Sequence, residues 1–137
     1  LFDINNIPFF DDYAHHPTEI YSVLDGVRKV YKKEEIVCIF QPHRISRLKS
    51  LKYEFSKCFK NANTILLCPI YKAGENIKLG FSYNSFAKLI VRNSNVNLIM
   101  LKDELDLKRV IKNIAFGNKI FIGMGAGSIS SWIRNLN

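Results

Sequence analysis

The sequence predicts an α/β fold: a Rossmann-like three-layer sandwich with a mostly parallel sheet of five to six strands and one antiparallel edge strand. Three observations carry this. Short apolar runs alternate with longer stretches whose apolar residues recur at three-and-four spacing. The short runs are apolar throughout, as in strands covered on both faces of a parallel sheet. Two of them flank Asn5-Asn6 at the start of the chain, where asparagine tolerates the positive φ of a tight hairpin. The crossover rule then gives right-handed strand–helix–strand units. It leaves strand order open.

Taken in order, Leu1–Ile4 and Ile7–Phe10 are the hairpin strands. A helix follows over Pro17–Tyr31: proline suits a first turn, and Ile20, Val23, Leu24, Val27 and Val30 form one stripe. Ile36–Phe40 is a strand. Arg44–Lys60 is a helix, with Ile45, Leu48, Leu51, Phe55 and Phe59 inward. Thr64–Cys68 is a strand, and Tyr71–Gly80 a loop with two glycines. A third helix carries Phe86, Leu89 and Ile90 on one side. Strand Val96–Leu101, helix Glu104–Ile114 and strand Lys119–Gly123 come next. A last helix, Ser128–Leu136, places Ile129, Trp132, Ile133 and Leu136 on one face.

The 137 residues suit a single domain spanning 1–137, and a hydrophobic content of 47% supports a core without staples. No apolar run approaches the roughly 20 residues of a membrane span. The start, Leu1-Phe2-Asp3-Ile4, lacks a basic leader and an initiator Met, as expected of a cytoplasmic piece of a longer polypeptide. Cys38, Cys58 and Cys68 are unclustered and sit in apolar context. They read as reduced, buried thiols rather than metal ligands. The net charge of +8 suits nucleic acid, a membrane surface or an anionic small substrate. A lysine-rich surface or an AT-rich genome gives the same balance. Arg44, Arg47, Lys49, Lys52, Lys57 and Lys60 make a basic nucleic-acid-binding α/β module the alternative function, although no nucleic-acid motif accompanies them.

Ligands of open α/β sheets bind beyond the carboxyl ends of the strands. Four unusual segments fall there: Asp11–His16, Gln41–Arg47, Tyr71–Glu75 and Gly125–Ser128. Arg44 and Arg47, three apart at a helix start, are expected to share a face. Two guanidinium forks so placed suit a carboxylate or phosphate, against the helix dipole. A solvated basic helix end is the plain alternative. His15, His16 and His43 with a carboxylate are read either as a metal site or as groups that bond substrate and cap the first helix. Asp11 or Asp12 at a strand end suits ribose hydroxyls. Gly125-Ala126-Gly127 lacks the third glycine of a dinucleotide fingerprint; it reads as a tight turn that frees the amides of the last helix for an anion or ligand. No phosphate-gripping G-x-x-x-x-G-K-[ST] loop occurs. A stand-alone nucleotide-binding enzyme with His15 or His43 as acid/base is a third reading.

Asp11-Asp12-Tyr13-Ala14-His15-His16-Pro17-Thr18-Glu19-Ile20 and Phe40-Gln41-Pro42-His43-Arg44 with Ser46-Arg47 form two specific motifs. Tyr71 with Ala73-Gly74-Glu75, and Gly125-Ala126-Gly127 with Ile129, are weaker ones. Together, in this order, they resemble the C-terminal domain of the Mur ligases over essentially the whole chain. The resemblance implies a fragment of a three-domain ligase that joins L-alanine to the lactyl carboxylate of UDP-N-acetylmuramate through an acyl phosphate. ATP and Mg2+ would be used in this bacterial cytoplasmic step of peptidoglycan synthesis. An N-terminal domain would bind the UDP-sugar, and a central domain the phosphates and most of the metal. In this chain it implies that Arg44 and Arg47 clamp the alanine carboxylate with His43 beside them. Tyr13 and His15 would line the amino-acid and γ-phosphate side, and Asp11 or Asp12, with His15 nearby, would face ATP. Neither a membrane nor nucleic acid is an implied partner, and no protein-bound metal is implied here. Ser128 departs from the family pattern, and without the other domains this chain should not catalyse ligation.

Overall fold

The computed structural model describes residues 2–136; Leu1, expected in the first strand, lies outside them. Strands β1 (Phe2–Ile4) and β2 (Ile7–Asp12) lead into helix α1 (Pro17–Val30), and β3 (Glu35–Phe40) into α2 (Ile45–Lys57). Then come β4 (Thr64–Leu67), α3 (Tyr83–Ser94), β5 (Asn97–Met100), α4 (Glu104–Ile114), β6 (Lys119–Met124) and α5 (Ile129–Arg134). The sheet order is β1-β2-β6-β3-β4-β5. Only β1 runs antiparallel, and Asn5 and Asn6 make its turn with φ of 53° and 65°.

Helices cover both faces, as continuous apolar strands require. Ile20 and Leu24 of α1, Leu48 and Phe55 of α2, and Phe86 and Ile90 of α3 bury against Ile36, Cys38, Phe40, Ile65 and Leu67. Leu107 and Ile111 of α4, with Ile129 and Ile133 of α5, bury against Phe9, Val37, Ile39, Leu66 and Phe121. The strand residues of the two groups alternate along β3 and β4, so each of these strands feeds both layers. Gly123 lies near the carboxyl end of β6, where a Cβ would run into Ile133. Its missing side chain lets α5 settle onto the sheet. All three cysteines are buried and free, and burial raises their thiol pKa values, which makes them poor nucleophiles.

The last strand enters between β2 and β3, so the topology reverses at the carboxyl ends of β2, β6 and β3. That reversal is where such sheets open a crevice. No helix among the described residues is long and apolar enough to cross a membrane.

Element boundaries moved where tertiary pairing outweighs side-chain type. β2 runs two residues past Phe10, because Asp11 and Asp12 pair with Gly123 and Met124. Both acids are therefore strand residues, not loop residues. α2 begins at Ile45, excludes Arg44, is non-helical at Leu51 (φ −121°, ψ 22°) and ends at Lys57. α5 is only Ile129–Arg134, shorter than its apolar stripe.

Candidate functional site at the carboxyl ends of the strands

Because β2, β6, β3 and β4 are parallel neighbours, the four unusual segments do border one edge. Successive strand residues face opposite sides, so the two acids part. Asp12 accepts from the Ala14 amide at 2.8 Å, turning the chain toward α1. It also lines a cleft of ≈ 440 Å³ with Tyr13, Thr18, Glu19 and Ser22. Asp11 faces α5, where Ser130 Oγ donates to it and Arg134 donates to Ser130 at 2.6 Å.

The histidines have three different jobs. His16 is the N-cap of α1: its Nδ1 accepts from the Thr18 amide at 3.3 Å, while Glu19 accepts from the His16 amide at 3.1 Å. Those backbone bonds, from His15 and His16, hold the Glu19 carboxyl below its usual pKa. The His15 Nδ1 lies 2.9 Å from the Tyr13 carbonyl, which can only accept, so Nδ1 carries the proton. His43 is the converse. Arg47 donates through Nη1 to His43 Nδ1 (3.0 Å) and to its carbonyl (2.9 Å). A guanidinium cannot accept, so the His43 proton sits on Nε2. The rings of His15 and His43 lie 5.8 Å apart, edge to face at 68°. Among the described residues no three His, Cys, Asp or Glu side chains converge on a metal position.

Burial, then the charges of Arg47, His15 and Arg44, push His43 below the usual histidine pKa. Arg47→Ala is expected to move the His43 titration, followed by ring-proton NMR, up toward the ordinary value. An unmoved titration would show that Arg47 does not set its protonation. The sign for stability follows: with a lowered folded value, the neutral ring favours the fold above the unfolded pKa and loses that advantage as pH falls through the folded value.

The expectation that Arg44 and Arg47 share a helical face is corrected here. Arg44 precedes the helix, with φ 75° and ψ 133°. That backbone is costly for a side-chain-bearing residue, by about 1–3 kcal/mol, and persists only where neighbours impose it. The neighbours belong to residues 71–75. The Arg44 amide donates to the Tyr71 carbonyl (2.8 Å), and the Tyr71 amide to Pro42 (2.8 Å). Arg44 gives α2 no side-chain cap. Glu75 does so from outside: it accepts from the Ser46 amide at 3.0 Å and from Ser46 Oγ at 2.5 Å. The hydroxyl and amide of Ser46 hold Glu75 below the usual carboxylate pKa.

Gly127 shows why the last turn is glycine-rich. A Cβ there would enter the Tyr71 ring, which stacks on His43 at 5.5 Å and 9°. Gly127→Ala is expected to displace Tyr71 and cost about 1–3 kcal/mol. Thermal melting would register the loss; an unchanged melting temperature would mean the ring has free room to shift. Of the amides expected to be free at the start of α5, the first is engaged. Ile129 N–H donates to Gln41 Oε1 at 3.1 Å, and Gln41 Nε2 donates to Ser128 Oγ at 2.9 Å. Gln41 is 2% exposed and ties the end of β3 to the turn before α5. Sequence reasoning missed Gln41 and Glu75 as working residues. Both were inside the singled-out segments, but their partners lie 87 or 88 and 29 residues away.

The chain is thus an open-sheet α/β domain whose strand ends gather arginines, two histidines in complementary tautomers and a carboxylate lining a cleft. It belongs to the Mur ligase family: the family described as "Mur ligase, glutamate ligase domain" matches residues 2–127. It is 62% identical over 136 residues to the UDP-N-acetylmuramate–L-alanine ligase of Pelagibacter ubique (strain HTCC1062), covering 99% of this chain and 29% of that protein. The crystal structure of the UDP-N-acetylmuramate–alanine ligase from Thermotoga maritima superposes with a TM-score of 0.72 at 27% identity, over 99% of this chain and 27% of that one. A murein peptide ligase from Psychrobacter arcticus 273-4 shares the fold, with a TM-score of 0.76 at 22% identity over 99% of this chain and 28% of that one. The chain therefore spans less than a third of the length of these relatives.

Proposed function

We propose that this chain is the C-terminal of three domains in a UDP-N-acetylmuramate–L-alanine ligase, the one that closes over ATP and presents L-alanine. The observation that carries the reading is the 62% identity to the Pelagibacter ligase across 99% of this chain. In the reaction, the ATP γ-phosphoryl group passes to the lactyl carboxylate, giving an acyl phosphate and ADP. The alanine amine attacks the acyl carbon, the amide forms, and phosphate and a proton leave.

On this reading Arg44 and the Nη2 and Nε groups of Arg47 hold the alanine carboxylate. The His43 Nε2–H stands beside them as a neutral donor. Keeping that ring uncharged avoids repelling the incoming amine. Tyr13, 71% exposed, and His15 line the amino-acid and γ-phosphate side. Asp12, rather than Asp11, faces the ribose, since Asp12 lines the open cleft while Asp11 is engaged by Ser130. The Mg2+ that such phosphoryl chemistry uses is assigned to the phosphate-holding domain. UDP-N-acetylmuramate is held by the other domains. A cytoplasmic place follows from these soluble nucleotide substrates. The +8 charge then serves anionic substrates rather than nucleic acid.

The test uses the full-length polypeptide. Phosphate release is expected to require ATP, UDP-N-acetylmuramate and L-alanine together, and deleting residues 1–137 should abolish it while UDP-sugar binding persists. Amide formation surviving the deletion would sink the reading.

A further inference from the structure

We infer that Glu75 is a positioning residue for the amino-acid carboxylate site. It acts through the backbone of Arg44, in a strap formed by residues 71–75. The inference rests on the functional reading above.

The geometry points to it from both sides of Arg44. On one side the strap is bonded as a short parallel bridge, His43 against Tyr71, which fixes the Arg44 amide. On the other, Glu75 takes both donors of Ser46, two residues further on. Arg44 is thus pinned between two anchors from one five-residue segment. Its φ of 75° is the conformation that spans them. The strap itself turns through Ala73 (φ 53°) and Gly74 (φ 83°), closed by the Glu75 amide on the Lys72 carbonyl at 3.0 Å. Ala73, like Arg44, is a non-glycine residue with positive φ, and the two flank the Glu75–Ser46 contact. Such conformations survive only where surrounding contacts over-determine them.

A helix N-terminus needs an acceptor for its first amides. Arg44, at the cap position, has none to give. Glu75 supplies it, which leaves the cap position open to a cation. One carboxylate thereby completes the helix end and sets where the guanidinium of Arg44 starts. Without it, the Arg44–Ile45–Ser46 backbone relaxes toward ordinary φ, and the side chain leaves from a different direction.

The test combines kinetics of the full-length ligase with NMR of this chain. Glu75→Ala is expected to raise the KM for L-alanine by roughly 10- to 100-fold, the scale of a displacement of about 1 Å at a reacting site. The KM for ATP should stay within about twofold. Ser46→Ala, which removes only the hydroxyl half of the contact, should give a smaller rise. Glu75→Ala combined with Arg44→Ala should be no worse than Arg44→Ala alone, because both act through one group. In this chain, the Arg44 amide coupling constant, read together with its intraresidue amide–Hα NOE, should report positive φ in the parent and lose it in Glu75→Ala. A purely structural role predicts equal losses for both substrates and additive effects with Arg44→Ala; either result overturns the inference. So does an unchanged Arg44 coupling in Glu75→Ala. If instead the parent ligase turns over without L-alanine while that coupling does change, the functional reading has failed, and with it the assignment to a carboxylate site.

Discussion

Arg44→Ala is expected to raise the L-alanine KM of the full-length ligase by about 100-fold. The chemistry of the pair sets that size. A guanidinium bonds a carboxylate through two parallel N–H groups, and such charge-assisted pairs are about twice as strong as neutral ones. Truncating one partner of a desolvated charge pair costs roughly 2–5 kcal/mol. Arg44 is exposed in this chain and desolvated only on closure against the other domains, which favours the lower half of that range. About 2.7 kcal/mol corresponds to a factor of about 100. Arg44→Lys keeps the charge but loses the fork, so it should fall between. The positive φ of Arg44 also makes Arg44→Gly informative: it relieves the backbone yet removes the guanidinium. Steady-state kinetics with alanine varied would decide. An alanine KM within threefold of the parent would mean that the carboxylate is held elsewhere.

Gln41→Ala is expected to cost about 2–4 kcal/mol of stability, the largest loss from a polar substitution in this domain. Its amide joins β3 to the start of α5 by two hydrogen bonds, at 2.9 and 3.1 Å. Removing it leaves the buried Ile129 N–H without an acceptor, worth about 1–3 kcal/mol, and opens a void besides. For a chain of this size, about 3 kcal/mol lowers the melting temperature by roughly 10 °C. The damage should reach the site: the turn that seats Gly127 under Tyr71 is held by the same residue. Ser128→Ala removes one acceptor and should cost only about 1 kcal/mol. If Gln41→Ala melts within about 2 °C of the parent, the turn before α5 is held by packing and not by this amide.

Fold class, both covered faces and the leading hairpin were all legible in the sequence, because each is a local pattern. Helix α4 matched its expected bounds, Glu104–Ile114, since an Asp103 cap and a clean apolar stripe agree. What was not legible depends on contacts between distant residues. β2 carries two aspartates that no strand propensity favours; pairing with β6 overrides that. The place of β6 between β2 and β3 has no signature along the chain, and without it Gln41 has no visible partner. Arg44 looked like an ordinary first helical residue. Its left-handed backbone comes from Tyr71 and Glu75, in a loop whose approach the sequence does not announce. The candidate residues were thus mostly visible as types, and their working geometry was not.

Hydrogen exchange of the full-length ligase, with and without an ATP analogue and L-alanine, tests the central claim most directly. If the carboxyl ends of the strands form the substrate face, exchange slows in Asp12–His16, His43–Arg47 and Tyr71–Glu75, while α4 and the outer edge at β5 are unchanged. Protection that spares those three segments and falls instead on the groove between α3 and β5, lined by Lys88, Val91 and Leu98, would contradict it.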